Sequence, residues 1–251
     1  MKDGENRPPH GRQLLRICGL PAVSALFARD PRRVERLFFA DGVKGEVGPF
    51  CRTLARARKP YRQVNKAELA RVAGTPLHGG LVAIAAPQPL ANFDRNAARI
   101  WAKNGKPLLI LDGIANPHNL GAIARSAAFF GLERMVLADR PDQALPSDAS
   151  YRVAEGGLER LDLHRAPLPA ALLELRSAYR VIGTALGHGP MPNRLESGAP
   201  VALVLGNEET GLDPATIAAC DQIWSIPGSG CVQSLNVSAA AAILLYQLTR
   251  P

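Results

Sequence analysis

Three polar, glycine-bearing segments in the second half of the chain hold the side chains most able to do chemistry. They read Asn116-Pro117-His118-Asn119-Leu120-Gly121-Ala122-Ile123-Ala124-Arg125, then Leu205-Gly206-Asn207-Glu208-Glu209-Thr210-Gly211-Leu212, then Ile226-Pro227-Gly228-Ser229-Gly230 running on to Ser234-Leu235-Asn236-Val237-Ser238. In the second segment, Gly206 lets a ligand approach the backbone closely. Asn207 and Glu208 place an amide and a carboxylate beside it, and Gly211 can turn the chain. Asp213-Pro214 then suits a helix start, an N-cap followed by proline at the first helical position. An ordinary structural turn accounts for Gly-Asn-Glu equally well. In the third segment, Ser234 can cap the last helix, with Asn236 and Ser238 in or near its first turn. A helix N-terminus presents free N–H groups to anions or polar ligand edges. Plain capping explains one of those three residues, not all of them, and leaves the flexible loop before them without a purpose. In the first segment, Asn119 stands just before an apolar helix and Arg125 lies among Ala122, Ile123, Ala124, Ala127 and Ala128. A cation in such company needs an anionic partner or a cleft, because unpaired burial is expensive. A structural ion pair and a substrate anion both meet that need.

The elements that must position these segments follow from periodicity. From Pro107 onward, short continuous apolar runs at 108–111, 135–138, 181–184, 201–205 and 223–226 read as parallel strands covered on both faces. Helices fit at 120–130, 170–177, 214–219 and 237–248. This is an open doubly wound sheet, whose ligands bind outside the carboxyl ends of the strands, and each polar segment begins at such an end. Before Pro107 the alternation is shorter: helices at 20–28, 47–59 and 66–72, strands at 34–40, 61–64 and 80–86. Residues 12–88 therefore form a small α/β unit, 89–106 a linker, and 107–251 the larger domain, with 1–11 a polar, flexible start.

Composition narrows the partners. Of the net +8 charge of the 251-residue chain, residues 1–88 carry 16 Lys and Arg against 7 Asp and Glu, and the remainder 14 against 15. A basic module attached to a nearly neutral one suggests a polyanionic partner. Cys18, Cys51, Cys220 and Cys231 show no C-x-x-C spacing, so neither a disulfide framework nor a zinc site is expected and a reducing cytoplasm is the default. No apolar run approaches the length of a membrane span, and no acidic cluster suggests a metal. A Rossmann oxidoreductase is disfavoured because Leu111-Asp112-Gly113-Ile114-Ala115 lacks G-x-G-x-x-G.

Together, Asn119, Gly121 and Arg125, then Gly206, Asn207, Glu208 and Gly211, then Ser234, Leu235, Asn236 and Ser238 resemble the three signature motifs of the SpoU/TrmH branch of the SPOUT RNA methyltransferases. Residues 12–87, including Leu77-His78-Gly79-Gly80, look like the small, ribosomal-protein-like substrate-binding domain of many members. The resemblance implies an α/β-knot catalytic domain with a deep trefoil knot, a homodimer packed through the knot and last helix, and methyl transfer from S-adenosyl-L-methionine to a ribose 2′-hydroxyl of RNA. Ribosomal RNA is the first expectation, transfer RNA the second, and a non-catalytic RNA-binding or assembly factor the alternative class. The cofactor is expected against Thr184, Ala185, Leu186 and Gly187, against Leu205, Gly206, Asn207 and Gly211, and against Ile226, Pro227, Ser234, Leu235 and Asn236. Arg125 matches the residue proposed in the family as catalytic base. Arginine stays protonated at ordinary pH, so a grip on phosphate or ribose is the role expected of it. Asn119 and Glu208 are expected to hold the site's geometry, and Ser234 and Asn236 to position ribose or cofactor. Two departures stand out: the glycine-rich Gly228-Ser229-Gly230-Cys231, and a glycine in the Leu77–Gly80 segment where many relatives have glutamine.

Overall fold

The computed structural model describes residues 14–187 and 200–249; the polar stretch 1–11 lies outside them. The N-terminal unit runs β1 (Leu15–Cys18), α1 (Leu20–Arg29), β2 (Val34–Phe39), α2 (Gly48–Arg56), β3 (Tyr61–Gln63), α3 (Lys66–Ala73) and β4 (Leu81–Ala85). Its four strands lie in the order β1-β4-β2-β3, with β4 antiparallel to β1 and β2, and β3 parallel to β2. Alternation along β4 divides the core. Leu81 and Ala83 pack with Leu26 and Leu54 on the α1/α2 side, while Val82 packs with Leu69 and Ala73 of α3. Asn65 caps α3 by accepting from Glu68 N at 2.8 Å, and Gly74, at φ 67°, ends it.

The larger unit adds β5 (Ala91–Asn92), α4 (Arg95–Ala102), β6 (Leu108–Asp112), α5 (Pro117–Phe129), β7 (Arg134–Ala138), α6 (Asp148–Ala154), β8 (Asp162–Ala166), α7 (Ala170–Leu175), β9 (Arg180–Thr184), β10 (Val201–Gly206), α8 (Pro214–Ala219), β11 (Gln222–Trp224) and α9 (Val237–Thr249). The sheet order is β11-β9-β10-β6-β7-β8-β5, and every pairing in it is parallel. Leu109 and Leu111 of β6 face the layer of α5, α6 and α9, whereas Leu108 and Ile110 face α4, α7 and α8. Burial on both faces is why these strands read as unbroken apolar runs.

Two features depart from the sequence expectation, and a third is one on which the sequence was silent. The stretch 89–106 is not a bare linker, because β5 forms the sheet's edge and α4 packs near α7. Strand β8 and helix α6 were not anticipated, nor was β1. The two units are also docked. Arg33 of the N-terminal unit donates from Nη1 to both carboxylate oxygens of Glu159 at 2.9 and 2.7 Å, from Nη2 to Tyr151 Oη at 3.2 Å, and from Nε to Ala86 O at 3.1 Å. Both members of this ion pair are buried. Arg29 reaches Asp162 Oδ1 at 2.6 Å and Gln88 reaches the Leu161 carbonyl at 2.6 Å across the same boundary.

Candidate active site

Strand β6 ends at Asp112, directly opposite Gly206 at the end of β10. The two following loops are therefore neighbours by register, and a set of side-chain bonds ties them together. Glu208 Oε1 accepts from Asn119 Nδ2 at 2.8 Å and from Asn116 N at 3.3 Å, and Oε2 accepts from Ala115 N at 3.1 Å. Asn119 Oδ1 in turn accepts from Asn236 Nδ2 at 3.1 Å. One continuous relay, Glu208–Asn119–Asn236, thus links the three polar segments of the sequence. Burial alone would raise the Glu208 pKa, but the Asn119 amide and the backbone N–H groups outweigh it and hold the carboxyl below its usual range. Glu208 is accordingly a fixed, charged acceptor and a poor proton acceptor.

Asn119 lies inside α5 rather than just before it. Pro117 sits at the helix start and Asn116 is the cap, its Oδ1 accepting from His118 N at 2.8 Å. The buried Asn119 side chain then faces the β10 loop. The cap of α9 also differs from expectation. Asn236, not Ser234, does the capping: its Oδ1 accepts from Ser238 N at 2.8 Å and from Ser238 Oγ at 2.6 Å. Ser234 is exposed, three residues before the helix.

Gly206 is required for a reason unlike the one its sequence suggested. The chain from Asn207 doubles back through reciprocal backbone bonds to Gly211, each 3.0 Å. A Cβ on Gly206 would meet the Gly211 carbonyl carbon at 2.4 Å and Leu212 N at 2.5 Å. The close approach is that of its own turn. Gly211, at φ 73°, makes that turn possible. Asn207 pins it by donating to Gly113 O at 2.7 Å while its Oδ1 accepts from Glu209 N and Thr210 N at 2.9 and 3.1 Å. Asp213 opens α8 as foreseen, but its carboxylate goes to Arg140 Nη1 at 2.8 Å and not to the helix. Arg140 Nη1 also reaches the buried Asp112 at 3.1 Å, so one guanidinium fastens the loop after β10 to the end of β6. Neither Arg140 nor Asp112 carried a sequence signal.

Of the remaining expected cofactor residues, Thr184–Gly187 end and follow β9, which neighbours β10, and Ile226 and Pro227 follow β11, which neighbours β9. Thr184 Oγ1 donates to Val204 O at 3.0 Å and Ala185 N to Trp224 O at 3.0 Å. Leu186 and Leu235 are 54% and 48% exposed, whereas Leu205 is buried and can offer only its backbone. Gly187, Ile226 and Pro227 lie in the loops that leave these strands. Thr184–Gly187, Gly206–Asn207, Ile226–Pro227 and Leu235–Asn236 are the segments that could hold S-adenosylmethionine.

Arg125 stands apart. It is not sunk among small residues but is 57% exposed, and it pairs with Glu155 at 3.0 Å. Six residues beyond Asn119, it sits about 9 Å along the helix axis and about a third of a turn round from it. Gly121 belongs to packing: its Cβ would meet the Ser150 carbonyl oxygen at 2.4 Å, so it lets α6 cross α5 closely. Among the described residues no group of three or more His, Cys, Asp or Glu is placed to hold a metal ion.

A parallel sheet whose strand ends carry a relay of Asn, Glu and Asn defines the class, and comparison with known proteins gives the family. The SpoU rRNA methylase family model matches residues 106–246, and the model for RNA 2′-O ribose methyltransferase substrate binding matches 16–91. The chain belongs to the SpoU rRNA methylase family. It is 33% identical to the 23S rRNA (guanosine-2′-O-)-methyltransferase RlmB of Acinetobacter baylyi, over 92% of this chain and 95% of that one. It is also 33% identical to the RlmB of Haemophilus ducreyi, over 93% and 96%. In fold it resembles the AdoMet-bound rRNA methyltransferase from Sinorhizobium meliloti, with a TM-score of 0.77 at 22% identity over 94% of this chain and 87% of that one.

Proposed function

We propose that this chain is an S-adenosylmethionine-dependent methyltransferase that acts on a ribose 2′-hydroxyl of 23S ribosomal RNA. The observation that carries the reading is the Glu208–Asn119–Asn236 relay, which holds the three family segments in one constellation. When bound, the cofactor supplies an electrophilic methyl group. The chain's own residues supply position. Glu208 fixes the start of α5 and the Asn119 amide, and Asn119 fixes the orientation of Asn236 at the start of α9. Asn236 and Ser234 present polar groups to the ribose. Arg125, always protonated, grips an adjacent phosphate or the 2′-oxygen and stabilises charge as it develops there. Alignment of this kind lowers the barrier to transfer, and the 2′-hydroxyl proton leaves to a group other than Glu208 or Arg125.

Residues 12–88 are read as the RNA-binding domain and 107–251 as the catalytic one. Exposed Arg52 and Arg56, one turn apart on α2, with Arg58 just beyond, support contact with a phosphate backbone. The same reading includes a homodimer. Phe129 is 83% exposed and Tyr246 58%, and with Phe130 between them they form an apolar surface across α5 and α9. It also includes the trefoil knot and a cytoplasmic setting; no helix among the described residues is long and apolar enough to cross a membrane.

The test is titration with S-adenosylmethionine, followed by transfer of labelled methyl to ribosomal and transfer RNA fractions from cells lacking the protein. Saturable binding with label in the large ribosomal RNA is expected. Binding without label in any fraction would favour the non-catalytic RNA-binding factor, and no binding would sink the methyltransferase reading.

A further inference from the structure

The turn that follows α6 is built at a conformational cost that packing alone does not explain. Glu155 sits at φ 44°, in the left-handed region that disfavours residues with a side chain. Gly156, at φ 92°, and Gly157 complete the turn. A Cβ on Gly156 would meet Pro21 O at 3.0 Å and Ala25 Cβ at 3.1 Å, both on α1; a Cβ on Gly157 would meet Arg125 Cα at 2.8 Å and Ala124 O at 2.9 Å. The turn is therefore wedged between the N-terminal unit on one side and the stretch of α5 bearing Arg125 on the other. Two residues further on, Glu159 is locked to Arg33 of the N-terminal unit. Surrounding structure that over-determines an unfavourable backbone is the setting in which such strain persists.

If only the backbone mattered, glycine or asparagine would suit position 155 better. The glutamate keeps a carboxylate there, and that carboxylate meets Arg125 Nη2 at 3.0 Å with both side chains more than half exposed. An exposed pair of this kind adds little stability. What it does fix is the direction of a flexible side chain. A guanidinium has five N–H donors, and a contact at Nη2 leaves the N–H groups that point elsewhere, on Nε and on Nη1, each able to donate to an anion.

We propose that Glu155 is a positioning residue for the methyl-transfer reaction. It holds the Arg125 guanidinium through Nη2 so that the remaining donors are turned toward the RNA, and the docked N-terminal unit fixes the turn that places Glu155. The inference rests on the role proposed above for Arg125.

Glu155→Gly is the decisive variant, since it removes the carboxylate and relieves the left-handed backbone together. Its melting temperature should stay within about 3 °C of wild type. Its kcat should fall about tenfold through loss of alignment, with KM for RNA and affinity for S-adenosylmethionine within about twofold. Glu155→Asp, which keeps the charge on a shorter arm, should recover part of kcat, and Glu155→Gln should not. A Glu155→Gly protein with undiminished or raised kcat would overturn the proposal, as would full rescue by Gln. Arg125→Ala run in parallel separates the two ideas. Loss of transfer there with undiminished Glu155→Gly activity rejects Glu155 alone, whereas retained transfer in Arg125→Ala rejects both.

Discussion

Glu208 accepts from the buried Asn119 amide and from the backbone N–H groups of exposed Ala115 and Asn116, so its removal leaves the Asn119 amide unmet while water can meet the other two. Glu208→Ala should cost about 1–3 kcal/mol in denaturant unfolding, the range for leaving a buried polar group unmet. Its depressed pKa also sets a pH dependence. A carboxyl whose folded pKa lies below its unfolded one contributes stability that is present at neutral pH and lost as pH falls through the folded value. The relay should therefore hold at pH 7 and loosen below the ordinary glutamate value of 4.5; a melt-versus-pH series of wild type against Glu208→Gln should converge there. Arg125→Ala should abolish transfer while leaving cofactor affinity within about threefold, because its partner among the described residues is Glu155, in the turn after α6; parallel loss of both would make it a structural residue. At this scale the sequence foretold which polar residues would be neighbours better than how each is used. Asn119, Glu208 and Asn236 meet as the motifs suggested, but Ser234 does not cap α9 and Gly206 makes room for its own turn. Cap choice and turn closure depend on distances of a few tenths of an ångström, which spacing along a chain does not encode.

Among elements, the legible ones were those with strong apolar periodicity. Strands β6, β7, β9 and β10 stood out because both faces are buried, and α1, α5 and α9 because their apolar content is sustained. Strand β8 was hidden by its own composition: in Asp162-Leu163-His164-Arg165-Ala166 only Leu163 and Ala166 are buried, so no continuous apolar run marks it. Helix α6 is seven residues long, and its capping pair Ser147 and Ser150 is a weak signal by itself. Its importance lies in packing, since α5 crosses it at Gly121. Gly121→Ala would drive a methyl group into the Ser150 carbonyl at 2.4 Å. Overpacking of that kind should destabilise by about 1–3 kcal/mol, and by tilting α5 it should lower transfer more than cofactor binding. A variant as stable and active as wild type would contradict the close crossing.

Across the whole molecule, the excess of basic charge in the first 88 residues and the neutral remainder marked two units with different tasks. What charge could not show is that they are fastened together. The Arg33–Glu159 pair has both side chains almost wholly buried, at 7% and 0% exposure, and a buried pair deprived of one member leaves an uncompensated charge. Glu159→Ala should destabilise by about 3–5 kcal/mol and separate the unfolding of the two units in calorimetry; a single unchanged transition would mean that docking is inessential. Docking holds Arg52 and Arg56 in a fixed relation to the strand ends, as the proposed contact with a large structured RNA requires. The central claim, that this geometry directs a methyl group to a ribose oxygen, is tested most directly by alkaline hydrolysis of 23S rRNA methylated with labelled S-adenosylmethionine. A 2′-O-methyl group removes the internal nucleophile, so the label should appear in an alkali-resistant dinucleotide and be absent with the Arg125→Ala protein. Label released in mononucleotides would place the methyl group on a base and contradict the account.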